Sequence, residues 1–114
     1  MKSKIILLLI IFVMVFVTTI VAAVKNEGAK DIEIYGGKRG KIPFPHHMHQ
    51  NNLEDCNICH SIFPQKPESI KDLKDQGQLK KKQVMKKLCI KCHKAEKRAG
   101  NKAGPTQCSK CHIK

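Results

Sequence analysis

The sequence predicts a small, mostly α-helical and irregular fold, opening with a short N-terminal β-hairpin and wrapping a few short helices around groups bulkier than its own side chains. Three observations carry this. The pentapeptide C-x-x-C-H occurs three times, at Cys56–His60, Cys89–His93 and Cys108–His112, and uses all six cysteines. The 114 residues suffice for one small domain. Beyond an apolar start the chain is polar, with Tyr35, Phe44 and Phe63 as its only aromatic residues after position 23 and no tryptophan. Such a chain cannot bury enough surface to fold unaided, so disulfides, metal or a prosthetic group must supply the core.

Lys2 and Lys4 precede an apolar run from Ile5 to Val24, broken only by Thr18 and Thr19. A positive start followed by such a run is a secretory signal or a membrane anchor. Val21-Ala22-Ala23 is a small-residue cleavage site, so residues 1–23 are expected to be removed. Uncleaved, roughly 20 apolar residues span a bilayer as a helix, with the N-terminus inside because the lysines come first. Either outcome delivers the remainder outside the cytoplasm, and the membrane matters only if the segment is retained.

Residues 24–31 are polar and read as a flexible leader. Ile32-Glu33-Ile34-Tyr35 alternates apolar and polar as a short strand does. Gly36 to Gly40 is a turn, and Lys41 to Phe44 returns as a second strand whose Pro43 suits only an edge. Pro64 and Pro67 mark an extended loop. Glu68 to Gln76 reads as a short helix with Ile70 and Leu73 on one face, ended by Gly77. Leu79 to Cys92 is the best helix candidate, because Val84, Leu88 and Cys92 recur every four residues. Gly100 to Pro105 is a loop before the last motif.

The pentapeptides carry the chemistry. C-x-x-C-H is the attachment signature of a c-type haem: Cys56 and Cys59, Cys89 and Cys92, and Cys108 and Cys111 each form two thioethers to one haem. The histidine that follows, His60, His93 or His112, is the proximal iron ligand. Paired C-x-x-C is also zinc spacing, but the histidine after every pair and the export signal fit haem better. Three haems would be an apolar core in themselves.

Each six-coordinate iron needs a second axial ligand, and three histidines remain. His46 and His49 lie three residues apart and can serve two neighbouring haems from one helical turn. His47, adjacent to His46, would need a third iron on another side of the segment. Met48 reads as packing. The net charge of +13 keeps a small protein soluble and equally steers it toward acidic partners. Nucleic acid does not fit an exported chain with so few aromatics.

Phe44-Pro45-His46-His47-Met48-His49, followed by three closely spaced C-x-x-C-H motifs in a lysine-rich chain, resembles the triheme cytochrome c7 family, small periplasmic relatives of class III cytochrome c. The resemblance runs from about Ile32 to Lys114 and makes residues 32–114 the triheme domain. It implies a short hairpin, a few helices, three packed haems and periplasmic electron transfer in anaerobic, often metal-reducing, respiration. By position it implies His46 as distal ligand to the haem of Cys56 and Cys59, and His49 to that of Cys89 and Cys92. The family's third distal histidine stands four residues before the middle motif, where this chain has Met85. Axial methionine is an established haem ligand, so Met85 is the candidate for the iron of Cys108, Cys111 and His112. Its alternative role is a helical gap-filler, and His47 is its competitor.

The expected function is outer-sphere electron transfer without substrate chemistry. Its partners would be redox proteins with acidic docking surfaces, such as an inner-membrane quinol oxidoreductase and other cytochromes. The alternative, a terminal reductase of metal ions or small oxyanions, needs an open iron position or an exposed haem edge in a cleft.

Overall fold

The structure, a computed structural model, describes residues 3–6 and 26–114. The expected signal or anchor therefore lies, apart from its first few residues, outside the described residues. Among the described residues no helix is long and apolar enough to cross a membrane.

Strand β1 (Ile32–Ile34) pairs antiparallel with β2 (Ile42–Phe44), in the register Ile32 to Phe44, Glu33 to Pro43 and Ile34 to Ile42. The hairpin is as expected, one residue shorter at Tyr35 and at Lys41. Its turn contains a single 3₁₀ turn, Gly37–Arg39. Lys41 has left the hairpin for the C-terminus, exchanging both backbone hydrogen bonds with Ile113 at 3.0 and 2.9 Å. Alternate residues of a strand direct their backbone groups to the same edge. Pro43 therefore presents its missing N–H to the edge that Lys41 uses, away from β1, where a proline is tolerated. Gly40 makes the closure possible: a Cβ there would stand 2.0 Å from the Ile113 carbonyl oxygen, and its φ is +94°.

Helix α1 (His46–Leu53) starts at Pro45 and ends at Glu54, whose φ of 56° breaks it. It carries no apolar stripe, so hydrophobic period gave no sign of its length. Met48 on this helix is 53% exposed. The polypeptide alone therefore does not supply the packing expected of it. Helix α2 (Asn57–His60) is the first motif itself, opened by Asp55, whose carboxylate accepts the Asn57 N–H at 2.8 Å.

Helix α3 (Ser69–Asp75) lies where the sequence placed it. Gly77 N–H bonds the Lys74 carbonyl at 3.0 Å and Gln78 N–H the Leu73 carbonyl at 2.8 Å, the paired closure that a glycine past the helix end permits. The chain then folds back, and Leu79 and Ile70 are buried at 6% and 8% exposure. With Ser69 they are the only buried residues among those described.

The second helix departs from expectation. It does not start at Leu79, because that side chain is held in the small core and Lys82 adopts a φ of 64°. Regular helix begins at residue 83, widens into a π turn over Met85–Cys89, and continues as α4 (Ile90–Arg98) through the middle motif. The Ile90 N–H reaches five residues back to the Met85 carbonyl. The added residue rotates the Val84, Leu88, Cys92 stripe off a single face. Lys94 to Arg98 are good helix formers and carry the helix to Gly100, where a second paired closure forms: Gly100 to Lys97 at 3.2 Å and Asn101 to Glu96 at 2.9 Å. Helix α5 (Cys108–Cys111) is the last motif.

Candidate haem and electron-transfer site

Four of the six histidines share one arrangement. The Nδ1 of His46 donates to the Ala29 carbonyl at 3.1 Å, that of His49 to Pro45 at 2.9 Å, that of His60 to Phe63 at 3.2 Å and that of His93 to Pro105 at 2.8 Å. A carbonyl only accepts, so each Nδ1 carries the proton and each Nε2 keeps its lone pair for a metal. His47 is the reverse: its Nε2 donates to the Gly28 carbonyl at 2.9 Å. It is half-buried rather than a freely exposed polar residue.

The imidazoles also meet in pairs. His46 faces His60 with ring centres 6.3 Å apart, nearly perpendicular at 83°. His49 faces His93 at 6.2 Å and 37°. A metal between two imidazole nitrogens at roughly 2 Å each holds the ring centres about 6 Å apart. Both pairs stand at that spacing, each joining α1 to a different C-x-x-C-H motif. The two phenylalanines of the domain seat them: Phe44 lies against His49 at 4.2 Å between centres, and Phe63 meets His60 edge-on at 5.2 Å.

His112 has no imidazole opposite it among the described residues, and its Nδ1 is buried without a hydrogen-bond partner. It lies against Gly36, where a Cβ would come within 2.6 Å of that nitrogen. Gly104 crowds His93 in the same way: a Cβ there would lie 2.5 Å from Cε1 and 2.8 Å from Nε2. These glycines, and the carbonyls of Ala29, Pro45, Phe63 and Pro105, are the parts of the site that sequence reasoning missed. Carbonyls leave no mark on a sequence; the Gly104-Pro105 step three residues before the last motif was the one available sign. Met85 is half-buried on the π turn.

The cysteines draw the three motifs together. Burial pushes the Cys59 thiol up, with Cys92 and Cys56 adding to it. Burial likewise raises Cys89, whose neighbours include Cys59 and Cys111, each from another motif. Cys111 is raised by burial and by Cys108. None of the six is spent on a disulfide, so all remain for haem attachment. Among the described residues no group of three or more candidate ligands converges on a metal-sized point.

A polypeptide with so small a core, whose imidazoles face one another in pairs beside attachment cysteines, is built as a multihaem c-type cytochrome. The family model described as cytochrome c7 and related cytochrome c matches residues 42–113. This chain belongs to that family and carries three c-type haems. It is 33% identical over 86 residues to a cytochrome c7 of Geobacter metallireducens, covering 75% of this chain and 79% of that protein. The solution structure of the triheme cytochrome PpcA from Geobacter sulfurreducens is similar, at 35% identity and a TM-score of 0.53, over 75% of this chain and 100% of that one. PpcB, a cytochrome c7 from the same organism, follows at 31% identity and a TM-score of 0.51, over 75% and 100%. Members of the family are multihaem electron-transfer cytochromes, and the residues present fit three haems: three attachment motifs, two of them with a tautomer-fixed imidazole pair.

Proposed function

We propose that this protein is an exported, periplasmic electron carrier that exchanges electrons outer-sphere between respiratory redox proteins. The two imidazole pairs at 6.3 and 6.2 Å carry the reading. His60 and His46 hold the haem of Cys56 and Cys59, and His93 and His49 hold that of Cys89 and Cys92. His112 and Met85 hold the haem of Cys108 and Cys111. The Nε2 of His47 is committed to Gly28, which favours Met85 over it as the sixth ligand. Bound haem supplies one-electron iron chemistry. The protein's part would be to hold each iron through two side chains, its imidazoles fixed in tautomer, leaving no ligand place for a substrate. A terminal reductase would need such a site.

Charge selects the partners. The chain has 22 lysines and arginines against 9 acidic residues. Among the described residues only Lys41, Lys66 and Lys71 form ion pairs, all at the surface. The remaining cationic surface suits acidic docking faces, those of an inner-membrane quinol oxidoreductase and of other cytochromes. Residues 1–23 would direct export, with membrane attachment if they are kept.

The test is kinetic and stoichiometric. The holoprotein should take up three electrons reversibly without turning over metal ions or oxyanions. Its electron exchange with an acidic redox protein should slow by roughly tenfold or more between low and physiological salt, as steered association does. Salt-independent exchange overturns the docking reading, and sustained turnover of an oxyanion favours the reductase.

A further inference from the structure

The residues just before β1 do more than connect. Glu27 to Lys30 lie along the first half of α1 and are held at every position. The Gln50 side chain brackets Glu27, accepting its N–H at 3.1 Å and donating to its carbonyl at 2.8 Å. The Gly28 carbonyl accepts from His47 Nε2 at 2.9 Å, and the Ala29 carbonyl from His46 Nδ1 at 3.1 Å. The Lys30 carbonyl accepts the backbone N–H of His47 at 3.1 Å. This is one of the N–H groups that a helix start leaves unpaired, and Pro45 brings no side chain to cap it. The segment expected to be a flexible leader is thus bonded to α1 over residues 27–30.

We propose that Glu27–Lys30 is a positioning strap, locked by Gln50, that holds the His46 imidazole in place and resists its exchange for external ligands. The inference rests on the assignment of His46 as distal ligand to the haem of Cys56 and Cys59. The Ala29 carbonyl fixes which His46 nitrogen carries the proton, and so which is free to bind iron. That carbonyl is held in place by its neighbours: Gln50 on one side, His47 on the other. His47 and Gln50 stand one and four residues after His46 on the same helix, so a single element carries both the ligand and the clasps of its partner. The Gln50 amide nitrogen is also 3.4 Å from His46 Nε2, too long for a strong bond, and its committed acceptor is Glu27. The strap precedes the segment that matches the family, which begins at residue 42.

The experiment uses the fully reduced holoprotein and carbon monoxide, which enters an axial position only after a ligand leaves. Uptake is followed haem by haem through resolved haem-proton resonances. His46→Ala is the reference for an open haem at Cys56 and Cys59. Gln50→Ala should speed uptake at that haem roughly tenfold over the wild type, the low end of the scale for losing a metal ligand's outer partner, because Gln50 acts on that partner, the Ala29 carbonyl, through Glu27. The haem of Cys89 and Cys92 should stay closed. Gln50→Glu keeps the acceptor for Glu27 N–H and loses the donor to its carbonyl, so it should fall between. Wild-type uptake in Gln50→Ala beside fast uptake in His46→Ala overturns the strap. Equal acceleration at all three haems overturns it too, because that is general loosening rather than positioning. If His46→Ala leaves the haem closed, the ligand assignment fails and the strap with it.

Discussion

At the scale of single residues, the histidines sort themselves by which nitrogen meets a carbonyl. Four present Nδ1 to backbone oxygens and keep Nε2, whereas His47 spends Nε2 on Gly28. Counting histidines in the sequence made three ligands available for three irons; the bond from His47 Nε2 to Gly28 argues against one of them. That favours Met85, four residues before Cys89, as the ligand proposed for the third iron. A thioether donates less than imidazole and favours reduced iron, so the haem of Cys108 and Cys111 should be the most easily reduced of the three. Met85→His is expected to lower one resolved potential on the order of 100 mV, a fraction of the roughly 0.8 V that axial ligation spans. It should also remove a methionine-to-iron charge-transfer band from the oxidised spectrum. A wild-type spectrum without that band, and no strongly shifted methionine methyl in the reduced state, counts against the assignment. The unsatisfied Nδ1 of His112 acts in the same direction, since an imidazole without a carbonyl partner is the weaker donor.

At the scale of elements, the helices are bounded by backbone chemistry more than by apolar periodicity. Gly77 and Gly100 each close a helix with the same pair of hydrogen bonds, and the first of these ends was legible from the glycine alone. The start of the second helix was not, because Leu79 belongs to the core packed on α3 and Lys82 interrupts the backbone. The Gly104–Pro105 loop is the element on which His93 depends. Its proline carbonyl takes the Nδ1 proton, and its glycine leaves room for the ring. In Gly104→Ala a Cβ would meet that ring at 2.5 Å, so ring or loop must move, a strain of about 1–3 kcal/mol. The melting temperature should fall by roughly 4–8 °C per kcal/mol lost. The haem-proton resonances of the haem at Cys89 and Cys92 should shift more than those of the other two. An unchanged melt with unchanged resonances would show that the loop does not confine His93.

At the scale of the whole molecule, the polypeptide buries two apolar side chains among its described residues, Ile70 and Leu79. Fully burying such a side chain is worth about 1.5–3 kcal/mol, while ordering each residue's backbone costs roughly 1–2 kcal/mol. Two side chains cannot hold dozens of residues, so the haems must be structural as well as functional. Replacing Cys89 and Cys92 together by serine should leave a largely unfolded, protease-sensitive product, read by circular dichroism and limited digestion. A variant that still melts cooperatively would falsify this.

The C-x-x-C-H motifs, the apolar-poor composition and the F-P-H-x-x-H segment by themselves determined the prosthetic groups, their number and the kind of fold, because covalent attachment requires fixed residues at fixed spacing. The hairpin and α3 were equally legible, from alternation and from a glycine stop. The resemblance at F-P-H-x-x-H already implied that His46 partners the first motif and His49 the middle one; only the tertiary structure decided which nitrogen each imidazole offers and which glycines make room for them. Those relations run through backbone carbonyls far apart in the chain, such as Ala29 to His46 and Pro105 to His93. A carbonyl is the same at every residue, so it has no signature in a sequence. It acquires a role only when folding brings it against a particular ring.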